Sequence, residues 1–197
     1  MLKQTLLCTA LITAGMTGTV SAQQSSHRPL IDHTLVFTEA DGGPGAVNPA
    51  VLATIIKWLA GNFDLPTADQ PRVELVPPAR IAAFRYRGFA QPQAPKGDEQ
   101  AMHEAGREIA AIYDDAKRTI YLPEGWRGAT PAEVSVLVHE MVHHLQNGAG
   151  LKYECLQERE RLAYAAQERW LGQYDLSLAS EFEIDPFTLL VRTRCMG

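Results

Sequence analysis

The stretch from Thr130 to Gln146 limits what this chain can fold into more than any other part of it. Thr130 is a good helix cap, Pro131 stands at the first helical position, and Glu133 completes a capping box. Val134, Leu137, Val138, Met141, Val142 and Leu145 then recur at helical spacing. The pattern predicts a helix to about Gln146, ending near Gly148, with an apolar back that needs a core. On its front stand His139, Glu140 and His143.

Residues four apart on a helix are separated by about 40° around the axis and one turn along it. His139 and His143 therefore present two imidazoles on one side, able to converge on one ion. Glu140 lies about 100° round from His139, badly placed to ligate but well placed to hold a water. The bland account is a solvated polar face. Against it, three of the six histidines fall within residues 139–144, inside a capped amphipathic helix. Upstream, His103-Glu104-Ala105-Gly106-Arg107 imitates the start of the pattern. Arg107 stands where the second histidine belongs and no capped helix surrounds it, so it carries no weight.

A catalytic zinc ion takes three protein ligands and keeps a further position open. An extension of the motif that would supply a third histidine is absent, because Gln146 and Ala149 occupy its positions. A following helix, from about Glu154 to Tyr174, offers Glu154, Glu158, Glu160 and Glu168. Leu156, Glu160, Ala163, Gln167, Trp170 and Leu171 share a stripe that is apolar apart from Glu160 and Gln167. A carboxylate facing a core is costly unless it is paired or bound to a metal. Glu154 and Glu158 share a side with Arg161 and Arg169, where solvated ion pairs suffice. Glu160 is the expected third ligand and Glu158 the second choice, with Ala163 small enough to let the two helices close up.

His139-Glu140-Met141-Val142-His143 followed by Glu160-Arg161-Leu162-Ala163 resembles the gluzincin metallopeptidases. The Glu-x-x-Ala element is similar to the one in the ImmA/IrrE-like peptidases and the HtpX/Ste24 group. With Tyr164, Gln167 and Trp170-Leu171, the segment also resembles small secreted bacterial proteins of unknown function. The likeness covers about residues 130–172. Tyr164 stands where the HtpX/Ste24 pattern has an aspartate, and neither membrane helices nor a helix-turn-helix domain accompany the motif. The resemblance implies zinc held by His139, His143 and Glu160, with Glu140 as the general base that hydrolyses a peptide bond. An extended peptide would add to Arg118–Leu122 if that segment is an exposed edge strand. The alternative is a zinc-bound scaffold that binds in the cell envelope without catalysis. His144, Tyr153 and Tyr164 read as packing or rim residues, and no group stands out as an oxyanion donor. Gln167 reads either as a core hydrogen-bonding residue or as a partner of a ligand.

The remaining elements fill in an α+β class. Asn48 and Pro49 open a helix to about Asn62, and Arg72–Val76 is a short strand stopped by Pro77-Pro78. Residues 79–87 form a short helix. Glu108–Leu122 reads as a hairpin, with Ile109, Ala111 and Tyr113 alternating before the turn Asp114-Asp115-Ala116-Lys117 and Ile120 and Leu122 after it. Residues 185–194 form a last helix. Together they predict a single zincin-like domain, a small sheet or hairpin packed on the histidine-bearing helix and on a second, ligand-bearing one.

Residues 1–22 read as a signal peptide and 23–197 as the domain. Lys3 precedes the uncharged apolar run Leu6–Val20, and Val20-Ser21-Ala22 supplies small residues for cleavage. Export, to a bacterial periplasm or beyond, removes Cys8 and leaves Cys155 and Cys195, for which a disulfide is the default. The run is too short and too rich in threonine for a comfortable membrane span, and no other span is predicted. A net charge of −5 gives no reason to expect nucleic acid or an anionic membrane. The expected partner is a peptide or protein substrate, cell-envelope peptides included.

Overall fold

The computed structural model describes residues 31, 47–67, 69–86 and 110–195. The leader at 1–22, the imitation motif at 103–107 and the start of the predicted hairpin at 108–109 lie outside them.

Helix α1 (Pro49–Phe63) begins as its cap and proline require, with the Asn48 side chain accepting from the Ala50 N–H at 2.9 Å. Its buried face is Val51, Leu52, Ile55, Ile56 and Leu59, and Asp64 ends it in the left-handed region. Strand β1 (Arg72–Val76) follows, then α2 (Pro78–Tyr86). Strands β2 (Ile112–Asp114) and β3 (Thr119–Pro123) form the hairpin. The Asp114 carboxylate accepts from the Ala116 and Lys117 N–H groups, both at 3.1 Å, and Arg118 closes the turn at φ 52°.

The sheet order is β1-β3-β2. β2 pairs antiparallel with β3 and β1 pairs parallel with it, Val73 opposite Ile120. This corrects the expectation that Arg118–Leu122 is an edge: β3 is the central strand, and Thr119 to Leu122 are buried. β1 occupies the edge that the hairpin alone would have left open. Such parallel pairing needs a long crossover, which local sequence pattern does not reveal.

Thr130 caps α3 (Pro131–Gly148), accepting from the Glu133 N–H at 3.1 Å. The Glu133 carboxylate reaches back one residue further than a capping box requires, to the Ala129 N–H at 2.7 Å. Helix α4 (Leu156–Leu171) begins later than predicted and runs into a 3₁₀ turn, Gly172–Tyr174. Two short helices complete the described chain, α5 (Leu178–Phe182) and α6 (Pro186–Thr193). α5 lacks an apolar repeat long enough to register by periodicity. Its signal is the reciprocal capping of Ser177 and Ser180.

α3 is the centre of the molecule. Every residue from Val134 to Gln146 is buried, so its histidine front is covered as well as its apolar back. α1, α3, α4 and β3 share one core, to which α4 contributes Ala163, Ala166 and Trp170. Leu156 corrects the predicted stripe: it is 76% exposed, at the first position of α4. A disulfide joins Cys155, just before α4, to Cys195, just after α6. The result is an α+β fold with a small mixed sheet. Among the described residues, no helix is long and apolar enough to cross a membrane.

Candidate metal centre

The packing of α4 across α3 brings one carboxylate to two imidazoles. Glu160 Oε2 lies 3.0 Å from His139 Nε2, and its Oε1 lies 3.3 Å from His143 Nε2. One ligand atom from each of the three residues fits within 4.8 Å of the others. Donor atoms about 2 Å from a tetrahedral zinc ion sit about 3.3 Å apart; Glu160 approaches each imidazole near that spacing, through a different oxygen for each. Two imidazoles and a carboxylate also suit zinc chemically. The histidine rings meet edge to face, with centroids 5.0 Å apart, as convergence from successive turns demands.

Each histidine is held from behind. His139 Nδ1 lies 3.1 Å from Gln167 Oε1, and Gln167 Nε2 donates to Ser135 Oγ at 3.1 Å. His143 Nδ1 lies 3.0 Å from Gln146 Oε1, and Gln146 Nε2 donates to the Arg159 carbonyl at 3.1 Å. Gln167 takes one of the two roles its position in the sequence allows, and Gln146, expected only as a break in the extended motif, is the matching partner of His143. The signal for Gln146 is its spacing, one turn after His143.

Glu140 is buried beside these groups, with the backbone N–H of Tyr113 on β2 facing its carboxylate. Burial pushes its carboxyl up to about 7, with His139 opposing and Glu160 reinforcing the shift. Burial also resists ionisation of Glu160, but the two imidazoles outweigh it and hold that carboxyl well below the usual carboxylate range. Tyr164, one turn after Glu160, meets the His139 ring edge to face, with centroids 4.7 Å apart. Its hydroxyl accepts from Arg192 on α6 at 2.9 Å.

The other candidates have separate tasks. Glu158 accepts from the Glu154 N–H at 2.8 Å, ahead of α4, whose N-cap Cys155 has no side-chain cap bond. Glu168 accepts from the Leu178 N–H at 2.7 Å. His144 is fully buried against Tyr113 and the Asp69 carbonyl, and burial lowers its pKa. It supports the hairpin and does not line the rim.

Arg159 ties the site to the sheet. Its guanidinium grips Asp115 in the hairpin turn with two bonds of 2.6 Å and donates to the His143 carbonyl at 3.2 Å.

A family model described as a domain of unknown function (DUF6647) matches residues 45–196. No curated protein and no solved structure matches the chain.

Proposed function

The chain belongs to the DUF6647 family, and we propose from its site that it is an exported zinc-dependent peptidase of the gluzincin kind. The observation that carries this reading is the convergence of His139, His143 and Glu160, with a buried Glu140 beside them. The three would hold the ion, one protein ligand short of a closed structural site. When bound, zinc supplies Lewis acidity, which polarises a carbonyl and makes water a stronger acid. Glu140 takes a proton from the attacking water and returns it to the leaving nitrogen. Water is thereby divided between the new carboxylate and the new amine as the carbon–nitrogen bond breaks. A purely structural metal site has no use for a carboxylate in that position.

β3 is enclosed, so an extended peptide would join an edge strand, and β2, beside Glu140, is the one nearer the site. Arg192 fills an acceptor position on the Tyr164 oxygen, so the phenolic hydrogen is left to donate to a substrate oxygen.

The test has two stages. Zinc is measured in the purified exported protein and in its His143→Ala variant. We expect about one ion per chain in the first and little in the second; equal, near-zero zinc in both would remove the metal reading. A peptide library is then offered to wild type and to Glu140→Gln. Cleavage by the wild type alone, at equal zinc content, is the expected result. Zinc in both proteins without a difference in cleavage would favour a binding scaffold.

A further inference from the structure

The hydrogens at the site can be placed by working inward from two backbone carbonyls, which only accept. Gln146 approaches the Arg159 carbonyl at 3.1 Å, so its amide nitrogen faces that oxygen. Its Oε1 is then the atom 3.0 Å from His143 Nδ1, and an amide oxygen also only accepts. His143 therefore carries its hydrogen on Nδ1. The second chain has one more link. Ser135 Oγ donates its only hydrogen to the Ala132 carbonyl at 2.7 Å and meets Gln167 as an acceptor. Gln167 thus turns its nitrogen to Ser135 and its oxygen to His139 Nδ1, which must also carry the hydrogen.

Both lone pairs consequently lie on Nε2, the atoms that converge on Glu160. With Nδ1 engaged, an imidazole meets a carboxylate through Nε2 only by taking a second proton or by sharing a cation with it. His144, on the same helix, shows the opposite arrangement. Its Nε2 donates to the Asp69 carbonyl, while Asn147 donates to Tyr113 and the Tyr113 hydroxyl donates to His144 Nδ1. Its lone pair is used up inside the fold.

We infer that Gln146 and Gln167 are positioning residues of the metal centre, which fix both ligand histidines in the metal-binding tautomer through uncharged acceptors. This rests on the zinc reading above. Both glutamines are buried, at 1% and 4% exposure, so solvent does not substitute for them. Because an amide carries no charge, Glu160 is left as the sole anionic ligand. A carboxylate behind a histidine would make that imidazole a stronger donor to the metal.

The two positions should respond differently to charge. At 167, a glutamate can keep the bond to His139 while Ser135 turns its hydroxyl to donate to the new carboxylate. At 146, a glutamate would face the Arg159 carbonyl, acceptor against acceptor. Zinc affinity is measured by chelator competition, with the visible spectrum of the cobalt(II) form as a second readout and the melting of the metal-free forms as a control for folding. Gln167→Leu and Gln146→Leu are expected to bind zinc about 10–100-fold more weakly than wild type. Gln167→Glu should bind at least as tightly as wild type, and Gln146→Glu should not recover. Leucine variants within about twofold of wild type would overturn the inference, as would a Gln167→Glu variant as weak as Gln167→Leu. If the leucine variants do not fold, the contrast between Gln167→Glu and Gln146→Glu decides it, and equal affinities would overturn it. No zinc in the wild type would sink the metal reading itself, and this inference with it.

Discussion

Glu158 and Glu160 are two positions apart on one helix and have unrelated partners, a backbone N–H for one and two imidazoles for the other. Glu160→Gln is expected to weaken zinc binding by more than about a hundredfold, beyond the range for residues outside the ligand set. Glu158→Gln should leave zinc content unchanged and cost about 1 kcal/mol or less in chemical denaturation, the scale of one exposed hydrogen bond. For Tyr164→Phe, we expect kcat to fall about a hundredfold with zinc content intact, the scale of one lost oxyanion donor. An unchanged kcat would make Tyr164 a packing residue. Helical spacing pairs His139 with His143, and helical phase turns Glu160 toward them, although its side chain stays 33% exposed and is not core-facing as the stripe predicts. Leu156 broke the same stripe because it is the first residue of its helix, where phase no longer implies burial. The spacing of Gln146 from His143 is local, but the Arg159 carbonyl that orients its amide is one that local pattern cannot locate.

Among the elements, those with chemical punctuation were the readable ones. Asn48-Pro49, Thr130-Pro131 and Asp185-Pro186 each start a helix where the cap accepts an N–H. The hairpin turn was legible within a residue, whereas the parallel pairing of β1 was not, because nothing local specifies which strand a strand will join. Arg159 joins three elements at once, so its loss should be felt beyond one ion pair. Arg159→Leu is predicted to destabilise by about 1–3 kcal/mol, discounted because Asp115 is half-exposed. A lysine there should recover little, since it cannot reproduce the two-pronged grip; denaturant titration of both variants checks this. Asp185 gives a dependence on acidity. Its bond from the Thr188 N–H holds its carboxyl below the ordinary value of 3.8. The capping contribution is therefore complete above that value and is lost as pH falls through the lower, folded one. The difference in melting temperature between wild type and Asp185→Ala should be present at neutral pH and shrink in strong acid. A gap independent of pH would rule out the carboxylate as its source.

For the molecule as a whole, the Cys155–Cys195 bridge spans 40 positions. Closing a loop of that size stabilises by about 4 kcal/mol in the chain-entropy view. Replacing both cysteines with serine should lower stability by up to that amount in denaturant titration, and a change under about 1 kcal/mol would mean that packing alone holds α6 in place. Such a bridge is compatible with the oxidising compartment that an exported chain would reach. It also divides the candidate centre topologically. Residues 155–195 form a covalent ring that contains Glu160, Tyr164, Gln167 and Arg192, while His139, Glu140 and His143 lie on the open chain leading into it. A protease that nicks the backbone once inside the ring releases no fragment until the bridge is reduced. One cut between His143 and Cys155 leaves the histidines and the carboxylate on separate polypeptides, joined only by packing.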